Sequence, residues 1–259
     1  MDFEKHSIKA IIFDMDGVLW KSNQPLCDLK ELFERLQAKR IKYLFATNNA
    51  LSTTAQYVEK FHSLGAEITE DQILTSADAT GYLLSTDIPE GGPIYIMGSS
   101  ALQTTLERYN FHFTDDHPIA VVGGLDPHIT YERLKKASLF IQTGLPFYFT
   151  NSDPNYPIPE GLCPGAGAFL AALETASGIK AKVAGKPQPF LFEACLKRLN
   201  TPPQETLTIG DRLETDILGG YRAGCKTALV LTGVSSANDV AHWSPKPDFI
   251  LENLMQLFN

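Results

Sequence analysis

Lys9-Ala10-Ile11-Ile12-Phe13-Asp14-Met15-Asp16-Gly17-Val18-Leu19 is the stretch whose reading decides the fold. An apolar run of strand length stops at Asp14, a second acid follows two residues on, and Gly17 allows a turn. Leu29, Leu32, Phe33 and Leu36 then recur at i, i+3, i+4 and i+7, the apolar face of a helix. A second buried strand, Lys42-Tyr43-Leu44-Phe45-Ala46, ends at Thr47-Asn48-Asn49, and a helix over 54–64 follows, with Gly65 as its stop.

The same rhythm returns near the other end of the chain. Thr206-Leu207-Thr208-Ile209 reads as a strand ending at Gly210-Asp211, followed by a helical stretch over 216–223. Ala228–Leu231 and Asp248–Ile250 are further strand candidates. Strand–helix alternation of this kind predicts an α/β fold, a doubly wound parallel sheet with helices on both faces. Ligands of such sheets bind beyond the carboxyl ends of the strands. The polar clusters at 14–17, 47–49 and 210–211 all fall at that end.

The middle of the chain differs. Turn signals crowd it, among them Pro89-Glu90-Gly91-Gly92-Pro93 and Asp153-Pro154-Asn155-Tyr156-Pro157. It also has its own strand candidates (94–97, 120–122, 146–150) and helices near 101–109 and 131–141. Residues 82–180 therefore read as a second α/β unit inserted into a core made of 1–81 and 181–259. No repeat of 20–50 residues and no low-complexity tract is seen.

Composition narrows the function classes. The 259 residues carry a net charge of −8, and no segment concentrates Lys and Arg, which argues against a nucleic-acid surface. No apolar run approaches the roughly 18–20 residues of a membrane helix. Cys27, Cys163, Cys195 and Cys225 are scattered, with no C-x-x-C pair, and the charged start Met1–His6 is unlike a secretory leader. The expectation is a soluble cytoplasmic protein with reduced thiols.

Four segments carry the chemistry. Asp14 and Asp16 lie on one side of the chain while it stays extended, and two such charges repel unless a cation or a proton intervenes. Asp14 is the candidate nucleophile and Asp16 the candidate general acid and base. A solvated Asp-Gly turn at a strand end explains the pair equally well. Thr47, Asn48 and Asn49 offer a hydroxyl and backbone N–H groups to a phosphate, or simply cap a helix. Lys186, in Gly185-Lys186-Pro187-Gln188-Pro189 before the apolar helix 190–199, is placed to neutralise phosphate charge, the alternative being an ordinary surface lysine. Asp211 and Asp216 suit Mg²⁺, Asp211 as a direct ligand and Asp216 behind it, or they are the acidic start of a helix. Glu214 fits the second reading alone. Gly165-Ala166-Gly167 reads as a helix-start turn rather than a nucleotide loop.

These four segments, in this order, resemble the haloacid dehalogenase-like superfamily, and the resemblance spans nearly the whole chain. Thr47-Asn48-Asn49-Ala50, Val121–Asp126, Thr150-Asn151-Ser152-Asp153 and Gly210–Asp216 are similar to the subfamily IIA branch of p-nitrophenyl, phosphoglycolate and pyridoxal phosphatases. That branch carries a large α/β cap between its second and third motifs. The resemblance implies a Rossmann-like core and hydrolysis of a small-molecule phosphate ester through an aspartyl phosphate on Asp14. It implies Mg²⁺ on the Asp14 side chain, the Asp16 carbonyl and Asp211, with Lys186 catalytic and a homodimer through the cap. Tyr156, in the loop that reaches toward the substrate in the pyridoxal phosphatases, is the candidate for selecting the leaving group, or else it packs the cap surface.

Two departures stand out. Leu51-Ser52-Thr53-Thr54 replaces a basic residue found in many relatives, and Val122-Gly123-Gly124-Leu125-Asp126 carries an extra Gly. A metal-independent carbon–halogen hydrolase, a phosphotransferase and a non-catalytic phosphometabolite-binding protein are the competing readings. Retention of Asp14, Asp16, Lys186 and Asp211 weighs against the last.

Overall fold

The computed structural model describes residues 2–158 and 160–258. The chain divides into two compact units, one made of Met1–Thr47, Thr54–Leu74 and Lys186–Asn259, the other of Asn48–Thr53 and Thr75–Gly185. The second unit in this division is wider than the expected insert of 82–180 at both ends. A boundary at 82 would cut the helix Ser76–Asp87, whose first turn is fixed by a capping box between Thr75 and Asp78. A helix is cooperative along its length, so the division falls at its cap.

The first unit is built on a six-stranded sheet. Its order is Phe249–Leu251, Lys226–Val230, Thr206–Gly210, Ala10–Phe13, Lys42–Thr47 and Ile73–Thr75. Ala10–Phe13 sits centrally and pairs in parallel with both Thr206–Gly210 and Lys42–Thr47. All four of its residues are buried, as expected for a strand covered on both faces. The helix Leu29–Ala38 starts at Asp28, whose side chain accepts the Glu31 N–H, and buries Leu29, Leu32, Phe33 and Leu36 as their spacing predicts. Phe33 stacks on Tyr43 at 5.0 Å, and Phe45 meets Phe61 at 4.5 Å between ring centroids. Burying each such side chain stabilises the fold by about 2 kcal/mol, which anchors the strand whose end bears Asp14.

The stretch expected as a helix over 216–223 is different. A wide π turn, Leu213–Ile217, precedes a short α-helix, Leu218–Arg222. Asp216 explains the widening: its Oδ2 accepts the Arg212 N–H at 3.1 Å, so the carboxylate folds back toward the strand end. Gly210 makes room for it, since a Cβ there would lie 2.1 Å from the Asp216 Cβ.

The second unit has a five-stranded sheet in the order Lys182–Val183, Phe147–Phe149, Val121–Gly123, Gly92–Met97 and Phe111–Phe113, with every pairing parallel. Its core joins Tyr95, Met97, Val121, Phe147 and Phe149 to Ala137, Ile141, Leu170 and Leu173 from the helices Tyr131–Gln142 and Ala166–Ser177. The segment with the extra glycine ends in Asp126, a buried acid paired with Arg133, which also donates to the Ile96 and Gly98 carbonyls at 3.2 Å. The turn-rich stretch after 153 forms an antiparallel hairpin of Asn155–Ile158 with Gly161–Pro164. Among the described residues no helix is long and apolar enough to cross a membrane.

Candidate active site

The Ala10–Phe13 strand delivers Asp14 to the carboxyl edge of the sheet. The chain turns at once: the Leu19 N–H donates to the Met15 carbonyl at 2.8 Å, and Gly17 adopts φ +83. Only glycine suits that position, because a Cβ would also lie 2.5 Å from Asp211 Oδ2.

Lys186 ties the cluster together. It is buried, and its Nζ donates to Asp14 Oδ1 and Asp216 Oδ1, both at 2.6 Å, and to the Ala46 carbonyl at 3.1 Å. An ordinary surface lysine is excluded. Burial works against the ammonium, but Asp14 and Asp216 more than offset it, so Lys186 is held above its ordinary value and stays charged.

Asp14, Asp211 and Asp216 each offer an oxygen, all within 4.8 Å of one another. Three carboxylates thus face one ammonium in a buried setting. Burial drives Asp14 well upward, and Asp216 and Asp211 add to this against the pull of Lys186. Burial, reinforced by Asp216, pushes Asp211 up to about 6, with the Val234 N–H, Arg212 and Lys186 opposing. The excess of negative charge in a ring of hard oxygens fits a divalent cation. Asp14 and Asp211 would hold it, while both Asp216 oxygens are already engaged, by Lys186 and by the Arg212 N–H.

Asp211 therefore binds a proton more tightly in the native state than in the unfolded chain. In the metal-free protein its contribution to stability is complete below its ordinary 3.8 and is lost as pH rises through about 6. A cation must displace that proton at low pH. Divalent-cation affinity, read by calorimetry, should rise with pH by at least about tenfold per unit below about pH 6, since Asp14 is also held upward and must give up its own proton. An affinity that does not change between about pH 5 and pH 7 would remove Asp211 from the ligand set.

Asp16 stands apart from this cluster. The turn runs through residues 17–19, after Asp16, which forms an isolated bridge with Trp20. The Asp16 carboxylate is exposed, and its Oδ1 accepts the Trp20 indole N–H at 2.9 Å. Thr47, buried, closes its strand beside the Asp14 strand. Asn48 and Asn49 belong to the second unit. The Asn48 amide donates to both Asp153 oxygens, at 3.1 and 3.2 Å, and Asn49 Oδ1 accepts the Leu51 N–H at 2.9 Å. Their side chains thus have protein partners. Tyr156 is half-buried on the hairpin of the second unit, opposite Cys163.

Sequence reasoning missed the loop after Lys226–Val230. Thr232 Oγ1 donates to the Gly17 carbonyl at 2.6 Å, the Val234 N–H donates to Asp211 Oδ2 at 2.8 Å, and Ser235 Oγ accepts the Leu213 N–H at 3.1 Å. These residues bind the two acidic segments to each other. Nothing in Thr232-Gly233-Val234-Ser235 alone signals that; only its place after a sheet strand does.

A mostly parallel sheet with a buried Asp–Lys–Asp cluster at its carboxyl edge defines a class. Residues 11–112 match the family model described as haloacid dehalogenase-like hydrolase, and residues 183–257 match a HAD-hydrolase-like model. An acid sugar phosphatase of Staphylococcus aureus (strain USA300) is 33% identical over 247 residues, 95% of each chain. The chain belongs to the haloacid dehalogenase-like hydrolases. The structure of a 4-nitrophenylphosphatase from Thermotoga maritima superposes with a TM-score of 0.92 at 33% identity, covering 97% of both chains. A glycerol phosphate phosphatase from Mycobacterium tuberculosis, solved in complex with magnesium, gives a TM-score of 0.90 at 33% identity, over 97% of this chain and 76% of that one.

Proposed function

We propose that this protein is a Mg²⁺-dependent phosphomonoesterase acting on a small phosphorylated metabolite. The observation that carries the reading is Lys186 set between Asp14 and Asp216 at 2.6 Å from each, with Asp211 in the same acid cluster. An Asp14 oxygen attacks phosphorus, and the ester oxygen leaves with a proton from Asp16. Asp16 then takes a proton from water, whose oxygen attacks the aspartyl phosphate and releases phosphate. Lys186 offsets charge that builds on the phosphoryl oxygens and keeps Asp14 aligned. Bound Mg²⁺ would supply further charge neutralisation at the same oxygens.

The relatives named for sugar phosphate and glycerol phosphate support an alkyl phosphate substrate. Backbone N–H groups near Asn48 and Asn49 would help to hold the phosphate, and Tyr156 is assigned to the leaving group. A cytoplasmic location and a homodimer through the inserted unit complete the reading.

The test is phosphate release from a panel of about a hundred phosphometabolites with Mg²⁺, repeated with a chelator. Sugar or polyol phosphates should lead the panel, and the chelator should silence all of it. Turnover that persists in the chelator, or none with the metal, would overturn the proposal.

A further inference from the structure

The catalytic cluster is buried and cross-braced, whereas Asp16, the group assigned to proton transfer, is exposed. A lone exposed carboxylate samples several rotamers, and proton transfer in a fixed geometry needs one. Among the described residues Asp16 accepts one side-chain hydrogen bond, from Trp20, whose Nε1–H donates to Oδ1 at 2.9 Å.

Trp20 is well placed to set a direction. It is fully buried and lies four residues past Asp16, at the start of the hairpin Trp20–Lys21 with Gln24–Pro25. The Gly17 N–H donates to its carbonyl at 2.7 Å, so the turn bearing Asp16 and the backbone of Trp20 are one bonded unit. The Phe61 edge meets the indole at 4.9 Å and 74°, and Lys60 Nζ sits 4.3 Å from the ring centroid. Both residues come from the helix Thr54–Ser63, so the ring is gripped by an element outside its own loop. Lys60 also exerts a Coulombic attraction on Asp16.

We infer that Trp20 is a positioning residue that assigns different tasks to the two oxygens of Asp16. Oδ1 is the anchor, held by the indole N–H, and Oδ2 carries the proton to the leaving oxygen. The inference rests on the reading of Asp16 as general acid. Its competitor is simple: a buried indole N–H needs an acceptor, and Asp16 happens to supply it.

Leaving-group chemistry separates the two. An alkoxide cannot depart without a proton, whereas p-nitrophenolate can. The value of kcat/KM reports only steps up to the first irreversible one, here formation of the aspartyl phosphate. The experiment measures kcat/KM for the best alkyl phosphate of the panel and for p-nitrophenyl phosphate, in the Mg²⁺-loaded full chain. The variants are Trp20→Phe, Asp16→Asn, and a chain with benzothienylalanine at position 20, which keeps the indole shape and lacks the N–H.

The benzothienyl variant should lower the alkyl-to-aryl ratio of kcat/KM about tenfold, part of the 10²–10⁴-fold range for general acids, and Trp20→Phe should lower it at least as far. Asp16→Asn should lower it further. If Asp16→Asn shifts the ratio and the benzothienyl chain does not, the role of Trp20 is overturned and that of Asp16 stands. If Asp16→Asn leaves the ratio unchanged, the assignment of Asp16 fails and takes the inference with it. A packing defect alone would lower both substrates together and leave the ratio unmoved, which also overturns the inference.

Discussion

Replacing Asp14 by Asn is expected to lower turnover by at least about a thousandfold, the scale seen when a nucleophile is removed. The amide matches the carboxylate in shape but does not attack phosphorus. Stability should hold or rise. Asp14 lies in a buried ring with Asp211 and Asp216, where burial and the neighbouring charges oppose its ionised form. Losing one of three mutually repelling acids relieves that cost, and Lys186 keeps Asp216 as a partner at 2.6 Å. The check is phosphate release alongside the thermal midpoint in chelator. Activity within tenfold of the parent chain would end the nucleophile assignment.

Replacing Lys186 by Met should produce the largest combined effect. Its ammonium is buried and satisfied by Asp14, Asp216 and the Ala46 carbonyl. Since its affinity for a proton is raised in the folded state, its stabilising effect is fully present at neutral pH and fades only in strong alkali. Removing it leaves the acids without a counter-charge, a loss of about 3–5 kcal/mol by comparison with other broken buried pairs. Turnover should fall by about a hundredfold or more. The stability loss has a pH signature. Near pH 5 the orphaned carboxylates take up protons, so urea midpoints in chelator should differ less from the parent there than near pH 8. Equal losses at both pH values would rule out the electrostatic account.

Much of the site was legible because its residues close strands. Asp14, Thr47 and Asp211 each follow an apolar run, and strand–helix alternation puts such ends on one edge of a parallel sheet. Lys186 has no such signal. It follows Lys182–Val183, a strand of the other unit's sheet, and its burial shows only once Asp14 and Asp216 are seen around it. The hairpin after Leu19 was not foreseen, because two-residue strands leave no periodicity to read. The wide turn at Leu213–Ile217 escaped for another reason: local propensity favours a plain helix start, and a single carboxylate folding back on Arg212 overrides it.

By itself the sequence determined the two α/β units, the acids at the strand ends and the family to which their order belongs. Period and strand length are local properties, and they survive in a one-dimensional pattern. Only the tertiary structure decided which acids share a charge balance, that Lys186 is an interior ion, and that Asp16 is held by Trp20 rather than by the cluster. It also groups Asn48–Thr53 with Thr75–Gly185 in one compact unit. Those outcomes depend on burial and on distances between residues as far apart as 14 and 186, where electrostatics and packing act through space. The stretch from Lys9 to Leu19 points to the chemistry, and burial with neighbouring charge acts on Asp14, Asp211 and Lys186 where they meet in space.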